Sequence, residues 1–316
     1  MLHHLLTVPD LTRADLELLL DRAEVFRAAP DSARTLLVGR VVACLFAQPS
    51  TRTRLSFAAA VARLGGIPVM TAPHELQLGE GESIEDTARV LSSYTVAIVA
   101  RVQSHEQLTA LASHASVPVI NAMTAHHHPC QSLTDLFTLR REFGKLGGLH
   151  VAFVGKATCI ATSLIAACAL AGVDISLACP PGHAPDPAFA REKGELASRN
   201  GSRISIGEDP RAAVRGAHAV YTDLWCDDEA PGRSHFPPEL IQAYSVNEAL
   251  MQATGGKAIF LHCLPARRGE EVTAEVIDGP RSRVLDQVAN RLPVQQAILA
   301  ALLEQELVGA SPSSSP

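Results

Sequence analysis

Aromatic residues are scarce: 4% of 316 residues, with one Trp, three Tyr and nine Phe. Stacking platforms for bases or sugars need several rings on one face and are not expected. Positive charge is not in excess either. Lys and Arg number 27 against 33 Asp and Glu, a net charge of −6 with both signs interspersed. A nucleic-acid partner would require clustered cations and is excluded on that ground. The seven cysteines (Cys44, Cys130, Cys159, Cys168, Cys179, Cys226 and Cys263) are odd in number and contain no CxxC pair. That excludes a disulfide framework and a zinc ribbon, and fits a reducing cytoplasm. The start, Met1 to Leu6, gives way to Asp10, Arg13, Asp15 and Glu17, unlike a signal peptide. The uncharged run Ala157 to Val173 falls short of the roughly 20 residues a bilayer span needs, and it carries Thr, Ser and Gly. No GxGxxG follows a strand-like run, which sets a dehydrogenase aside. Gly155-Lys156 imitates a phosphate loop, but His150 stands where its leading Gly belongs, so an NTPase is excluded. The expectation is a cytoplasmic protein with no membrane or nucleic-acid partner.

What the chain has is apolar content, 47%, enough to bury a sizeable core. At roughly 150 residues per domain it should form two. Continuous apolar runs read as buried strands: 41–46, 96–99, 117–120, 150–154, 175–179, 218–221 and 258–261. Helix-period stretches separate them, one opening at Thr12, one carrying Phe57, Ala60, Val61 and Leu64, and one over 132–143. Such alternation predicts α/β architecture: two doubly wound parallel-sheet domains joined by helices. Gly147-Gly148 marks the junction, giving domains 1–146 and 147–308, and the Ser/Pro-rich stretch 309–316 reads as a disordered tail. Ligands of doubly wound sheets sit beyond the carboxyl ends of strands, so the loops there carry the functional candidates.

The first such loop is Ser50-Thr51-Arg52-Thr53-Arg54, leading into a helix. Hydroxyls, backbone N–H groups, a helix N-terminus and guanidinium forks make an anion site suited to phosphate. Arg101 follows another strand. His126-His127-His128-Pro129-Cys130-Gln131 opens a helix. Adjacent histidines cannot converge on one metal from a regular element, so no metal is expected. A neutral His near Gln suits donation to a carbonyl oxygen instead. His262-Cys263-Leu264-Pro265 follows the last strand, and Asn290-Arg291-Leu292 lies near the end.

Together these residues resemble the aspartate/ornithine carbamoyltransferase family, with Ser-Thr-Arg-Thr-Arg, His-Pro-x-Gln and His-Cys-Leu-Pro in the family's order and spacing. Cys263 and Gln77-Leu78-Gly79 are similar to the ornithine branch. The resemblance implies that Ser50, Thr51, Arg52 and Thr53 hold the phosphate of carbamoyl phosphate. It assigns Arg101, His128 and Gln131 to the carbamoyl end, with Cys263, Leu264 and Arg291 completing the site. It further implies a C-terminal helix returning to the first domain, and homotrimers in which Gln77 reaches a neighbour's site. Carbamoyl phosphate would be a co-substrate, with no cofactor.

The acceptor loops depart from the family's ornithine pattern. A Gly-Asp-Gly-Asn-Asn type loop has become Gly155-Lys156-Ala157-Thr158-Cys159, and Asp-x-Trp-x-Ser-Met-Gly has become Asp223-Leu224-Trp225-Cys226-Asp227-Asp228-Glu229. Asp223 is retained to orient the attacking amine, while Cys159, Asp227 and Asp228 face a changed acceptor in this reading. The expectation is therefore carbamoyl transfer to a primary amine other than free L-ornithine, such as a diamino acid or a diaminopropionyl group, giving a ureido product. Ordinary ornithine carbamoylation is the alternative, and a non-catalytic carbamoyl-phosphate-binding scaffold is the rival from another class. Glu270 and Glu271 read as a solvated loop.

Overall fold

The computed structural model describes residues 2–72, 81–225 and 236–309. The chain divides into two compact units: Met1–Phe137 with Asn290–Pro316, and Thr138–Ala289.

Unit 1 is built on strands β1 (Val41–Phe46), β2 (Ile67–Thr71), β3 (Ala97–Arg101) and β4 (Val119–Met123), all parallel, in the order β2-β1-β3-β4. Its helices are α1 (Arg13–Ala28), α2 (Arg52–Arg63), α3 (Ile84–Tyr94), α4 (His105–His114) and α5 (Pro129–Phe143), the last running on into unit 2. The helix starts are written locally. Thr12 accepts from the N–H of Asp15, whose carboxylate accepts in return from Thr12 N–H, a capping box. Ser83 and Ser104 cap α3 and α4 in the same way, through single bonds to Asp86 and Gln107. Pro129 opens α5, where its missing N–H costs nothing, three residues earlier than the apolar period alone suggests.

Unit 2 carries β5 (His150–Val154), α6 (Cys159–Ala171), β6 (Asp174–Ala178), α7 (Pro187–Arg199), β7 (Ile204–Gly207), α8 (Pro210–Val214), β8 (Ala219–Tyr221), α9 (Pro238–Tyr244), α10 (Glu248–Gln252), β9 (Ile259–Leu261) and α11 (Ala274–Ile277). The sheet is parallel with order β7-β6-β5-β8-β9. Helix α6 is buried along nearly its whole length and ends at Gly172 in the left-handed conformation. Helix α12 (Val284–Gly309) starts in unit 2, passes Pro293, and continues in unit 1 as the returning C-terminal helix.

Two strands escape the sequence reading, and both are edges. β2 contains Pro68 and leaves Ile67 and Val69 exposed, while β7 reads Ile-Ser-Ile-Gly with three of four residues exposed. An edge strand needs no continuous apolar run, so the buried-strand pattern cannot find it.

In each unit the strand order reverses direction at one point: between β1 and β3 in unit 1, and between β5 and β8 in unit 2. Gly155 sits at the second of these with φ +122°, and a Cβ there would lie 2.2 Å from Nε1 of the buried Trp225. Only glycine lets the exits of β5 and β8 close on each other in this way. Gly155→Ala should lower the unfolding free energy by about 2–4 kcal/mol, combining backbone strain with a clash that cannot relax cheaply. Urea denaturation would check it, and a loss below about 1 kcal/mol would show that Trp225 can move aside.

Among the described residues, no helix is long and apolar enough to cross a membrane. The cysteines described are free thiols. Burial pushes Cys44 and Cys130 up to about 12, so both act as small packing groups rather than nucleophiles.

Candidate active site

In unit 1 the reversal point collects the phosphate-loop candidates. Ser50 and Thr51 lie between β1 and α2, and Arg52 and Thr53 form the first turn of α2. Arg101 is the last residue of β3, where the register with β4 shifts between Ala100 and Arg101. Such an irregularity re-aims the side chain that follows it. Arg101 Nη1 donates to Ser50 Oγ at 3.4 Å, so adjacent strand exits share one polar cluster.

The deepest part of the cluster is a buried hydrogen-bonded chain. Arg291, 3% exposed on α12, donates through Nη2 to Thr53 Oγ1 at 2.6 Å and through Nη1 to Gln131 Oε1. The Gln131 amide nitrogen donates to Asp135 Oδ1 at 2.8 Å, which fixes which way the amide points. Asp135 is wholly buried and was missed by sequence reading, although its place one turn after Gln131 on α5 is a signal. His128 is buried just before Pro129. Burial, and then the charges of Arg291, Arg101 and Arg52, hold it well below the ordinary histidine value. The sign is that of a depressed group: the neutral imidazole persists at neutral pH and is lost only as pH falls through the lowered value. The result is a pocket of fixed cations around a neutral imidazole, suited to an anion carrying a polarisable carbonyl.

In unit 2 the corresponding centre is Asp223, 8% exposed, just past β8. Its Oδ2 accepts from Thr158 Oγ1 at 2.7 Å. Its Oδ1 accepts from Leu224 N–H at 2.8 Å and from Cys263 Sγ at 3.1 Å. Thr158 also caps α6 through Ile160 N–H, so the residue that replaced an Asn has a structural task. Cys159 is half-buried at the first turn of α6. Leu264 follows Cys263 with φ +60°, ahead of a cis peptide to Pro265. Gln77, Asp227 and Asp228, with Cys226 and Glu229, lie outside the described residues.

Glu271 corrects the solvated reading given to it. It is 0% exposed, accepts from Arg267 N–H at 2.5 Å and lies 3.4 Å from Nε2 of the equally buried His262. His262 Nδ1 accepts from Leu264 N–H at 2.9 Å, which leaves the ring proton on Nε2, facing the carboxylate. The Gly269-Glu270-Glu271 stretch looks polar in sequence, and only tertiary packing closes over its last residue. Among the described residues, Asp223, His262 and Cys263 are the three side chains whose ligand atoms, within 4.8 Å of one another, could meet a metal ion. The thiol–carboxylate bond engages Cys263 and Asp223, and Leu264 N–H engages His262 Nδ1, while Nε2 lies 3.4 Å from the Glu271 carboxylate.

Comparison with known proteins follows this division of labour. Residues 3–141 match the family model for the aspartate/ornithine carbamoyltransferase carbamoyl-P binding domain, and residues 147–302 match its Asp/Orn binding domain. The ornithine carbamoyltransferase of Gloeobacter violaceus is 43% identical over 299 residues, 95% of each chain. That of Bacillus subtilis is 42% identical, covering 95% of this chain and 93% of its own. The structure of the Pyrococcus furiosus ornithine carbamoyltransferase superposes with a TM-score of 0.92 at 38% identity, covering 96% of this chain and 97% of that one.

Proposed function

Because the chain belongs to the aspartate/ornithine carbamoyltransferase family, we propose that it carbamoylates the side-chain amine of L-ornithine. It is a carbamoyltransferase, and carbamoyl phosphate is the donor. The acceptor is where the first expectation gives way. Lys156 and Cys159 in one loop, and Asp227 and Asp228 in another that lies outside the described residues, pointed away from ornithine, but they are two short stretches, whereas the similarity to ornithine enzymes runs the length of the chain. The unit 2 geometry is compatible with that. Thr158 supplies the Asp223 contact at this loop, and Asp223 is held by three donors in a setting from which it could orient an amine.

The observation that carries the reading is the buried set Thr53, Gln131 and Arg291 around neutral His128. The amine lone pair attacks the carbonyl carbon and the new C–N bond forms. Negative charge gathers on the carbonyl oxygen, where Thr53, Arg101 and His128 would donate. The bond between the carbonyl carbon and the bridging oxygen then breaks, phosphate departs with the bonding electrons, and the proton lost by the amine nitrogen passes to the departing phosphate. Ser50, Thr51 and Arg52 would hold the leaving phosphate at the N-terminus of α2. In this reading residues 1–146 bind carbamoyl phosphate, residues 147–308 bind the amino acid, and the active unit is a homotrimer to which Gln77 contributes from a neighbouring subunit.

Steady-state kinetics with carbamoyl phosphate and a panel of amines tests the acceptor. L-ornithine should give citrulline with a kcat/KM at least about tenfold above putrescine, N-acetylornithine or 2,3-diaminopropionate, a gap of about 1.4 kcal/mol. A better amine in that panel would restore the reading drawn from Lys156, Cys159, Asp227 and Asp228.

A further inference from the structure

The turn that presents His128 is held by groups that lie outside the candidate site. Thr124 is 1% exposed. Its Oγ1 accepts from the N–H of His126 at 3.4 Å and of His127 at 3.2 Å, and lies 3.3 Å from Nδ1 of His105. Thr124 N–H donates back to His127 O at 2.9 Å, and the Asn121 amide donates to the same carbonyl at 3.3 Å. The His105 and His127 rings meet edge to face, with centroids 4.8 Å apart. His105 is the first residue of α4 and half-buried.

Counting donors settles the tautomer. A threonine hydroxyl has two lone pairs and one proton. Both lone pairs here face backbone N–H groups, so the proton goes to His105 Nδ1, and the imidazole must be neutral with its own proton on Nε2. We propose that His105 is a positioning residue for His128: neutral, it takes the Thr124 hydroxyl proton and locks the 124–127 turn, whereas protonated it adds a third donor to a filled hydroxyl and the turn loosens. This rests on the carbamoyl-phosphate reading of His128 given above.

The groups facing His105 are Asp10, from a short 3-10 turn at Val8–Asp10, and His126 and His127 from the turn itself. Asp10 favours the imidazolium. Burial first, and then His126, oppose it, and the balance leaves His105 below its ordinary value. A cation there would also meet the positive end of α4. The neutral form and its support for the turn are therefore fully present above the ordinary histidine range, and are lost as pH falls through the lowered value. Reciprocity adds that carbamoyl phosphate, if it binds better to the locked turn, pushes His105 further from protonation.

The test compares the unmodified protein with His105→Asn, whose Oδ1 can accept the Thr124 proton but does not titrate. His105→Ala removes the acceptor altogether. Hydrogen exchange of the peptide spanning 121–131, corrected for intrinsic rate, is read without ligand at pH 7.5 and in steps down to pH 4. Calorimetry gives the carbamoyl phosphate Kd over the same range. On acidification the unmodified protein should lose about tenfold more protection in this peptide than His105→Asn, and its Kd should weaken by a similar extra factor, the ligand's own titration cancelling in the ratio. His105→Ala should be weak throughout that range. Parallel exchange profiles for the unmodified protein and His105→Asn would overturn the proposal. If protection follows the prediction while no variant binds carbamoyl phosphate at pH 7.5, the relay stands and the ligand assignment falls.

Discussion

Replacing Arg291 with lysine is expected to lower kcat/KM for carbamoyl phosphate by about 10²- to 10³-fold, the loss found when one preorganised transition-state donor is removed, about 2.7–4 kcal/mol. The charge survives the substitution, so charge alone is not what is lost. Arg291 spans two acceptors at once, Thr53 Oγ1 and Gln131 Oε1, from a position 3% exposed. A lysine ammonium is a single point on a flexible stem and cannot hold both. Released, the Thr53 hydroxyl can turn from the direction the reaction needs, and Gln131, still held by Asp135, is left with an unmatched carbonyl oxygen. Steady-state rates at saturating acceptor, with calorimetry of carbamoyl phosphate binding, check this. Activity within about threefold of the unmodified enzyme would reduce Arg291 to a packing residue.

Asp223→Asn should lower kcat by about 10²- to 10³-fold, within the range attributed to a positioned acid–base group. The carboxylate accepts from three donors: Thr158 Oγ1, Leu224 N–H and Cys263 Sγ. An amide offers one oxygen and turns an N–H₂ toward a former donor, so at least one of these bonds is broken or reversed. The attacking amine, which in this proposal donates an N–H to the carboxylate that orients it, then meets a donor. Rates measured against ornithine concentration distinguish the outcomes. A rise in KM with kcat intact would mean that Asp223 only binds the acceptor and does not orient it for attack.

The candidate donor residues were legible because they sit where an open parallel sheet places its ligand loops. Ser50 to Thr53 follow an unbroken apolar strand and enter a helix, and Arg101 ends the neighbouring strand across the reversal of strand order. His128 and Gln131 bracket Pro129, which marks the start of α5. What could not be read has a common cause. The bonds of Arg291 to Thr53 and Gln131 join distant parts of the chain, and the burial of Glu271 depends on packing that no local pattern encodes. Edge strands β2 and β7 lack a buried face to impose a period. The acceptor loops were harder to read for a different reason. Thr158 stands where the family has an amide, and its identity alone does not show that its hydroxyl both caps α6 and donates to Asp223.

The passage of α12 from one unit to the other bears on how the protein is made. Thr53 and Arg291 are 238 positions apart in sequence, with residues 138–289 forming a complete second body between them. On a ribosome, the phosphate loop emerges early and stays without its guanidinium partner until nearly the whole chain has been synthesised. Closing so long a loop as free chain would carry a large entropy loss, but that loss grows only by about 0.6 kcal/mol per doubling of length. If the intervening residues have already condensed into their own unit, the effective loop is shorter still, and the last helix needs only to find unit 1. The candidate donor site is therefore completed late, and a nascent chain lacking α12 lacks the Arg291 bonds to Thr53 and Gln131.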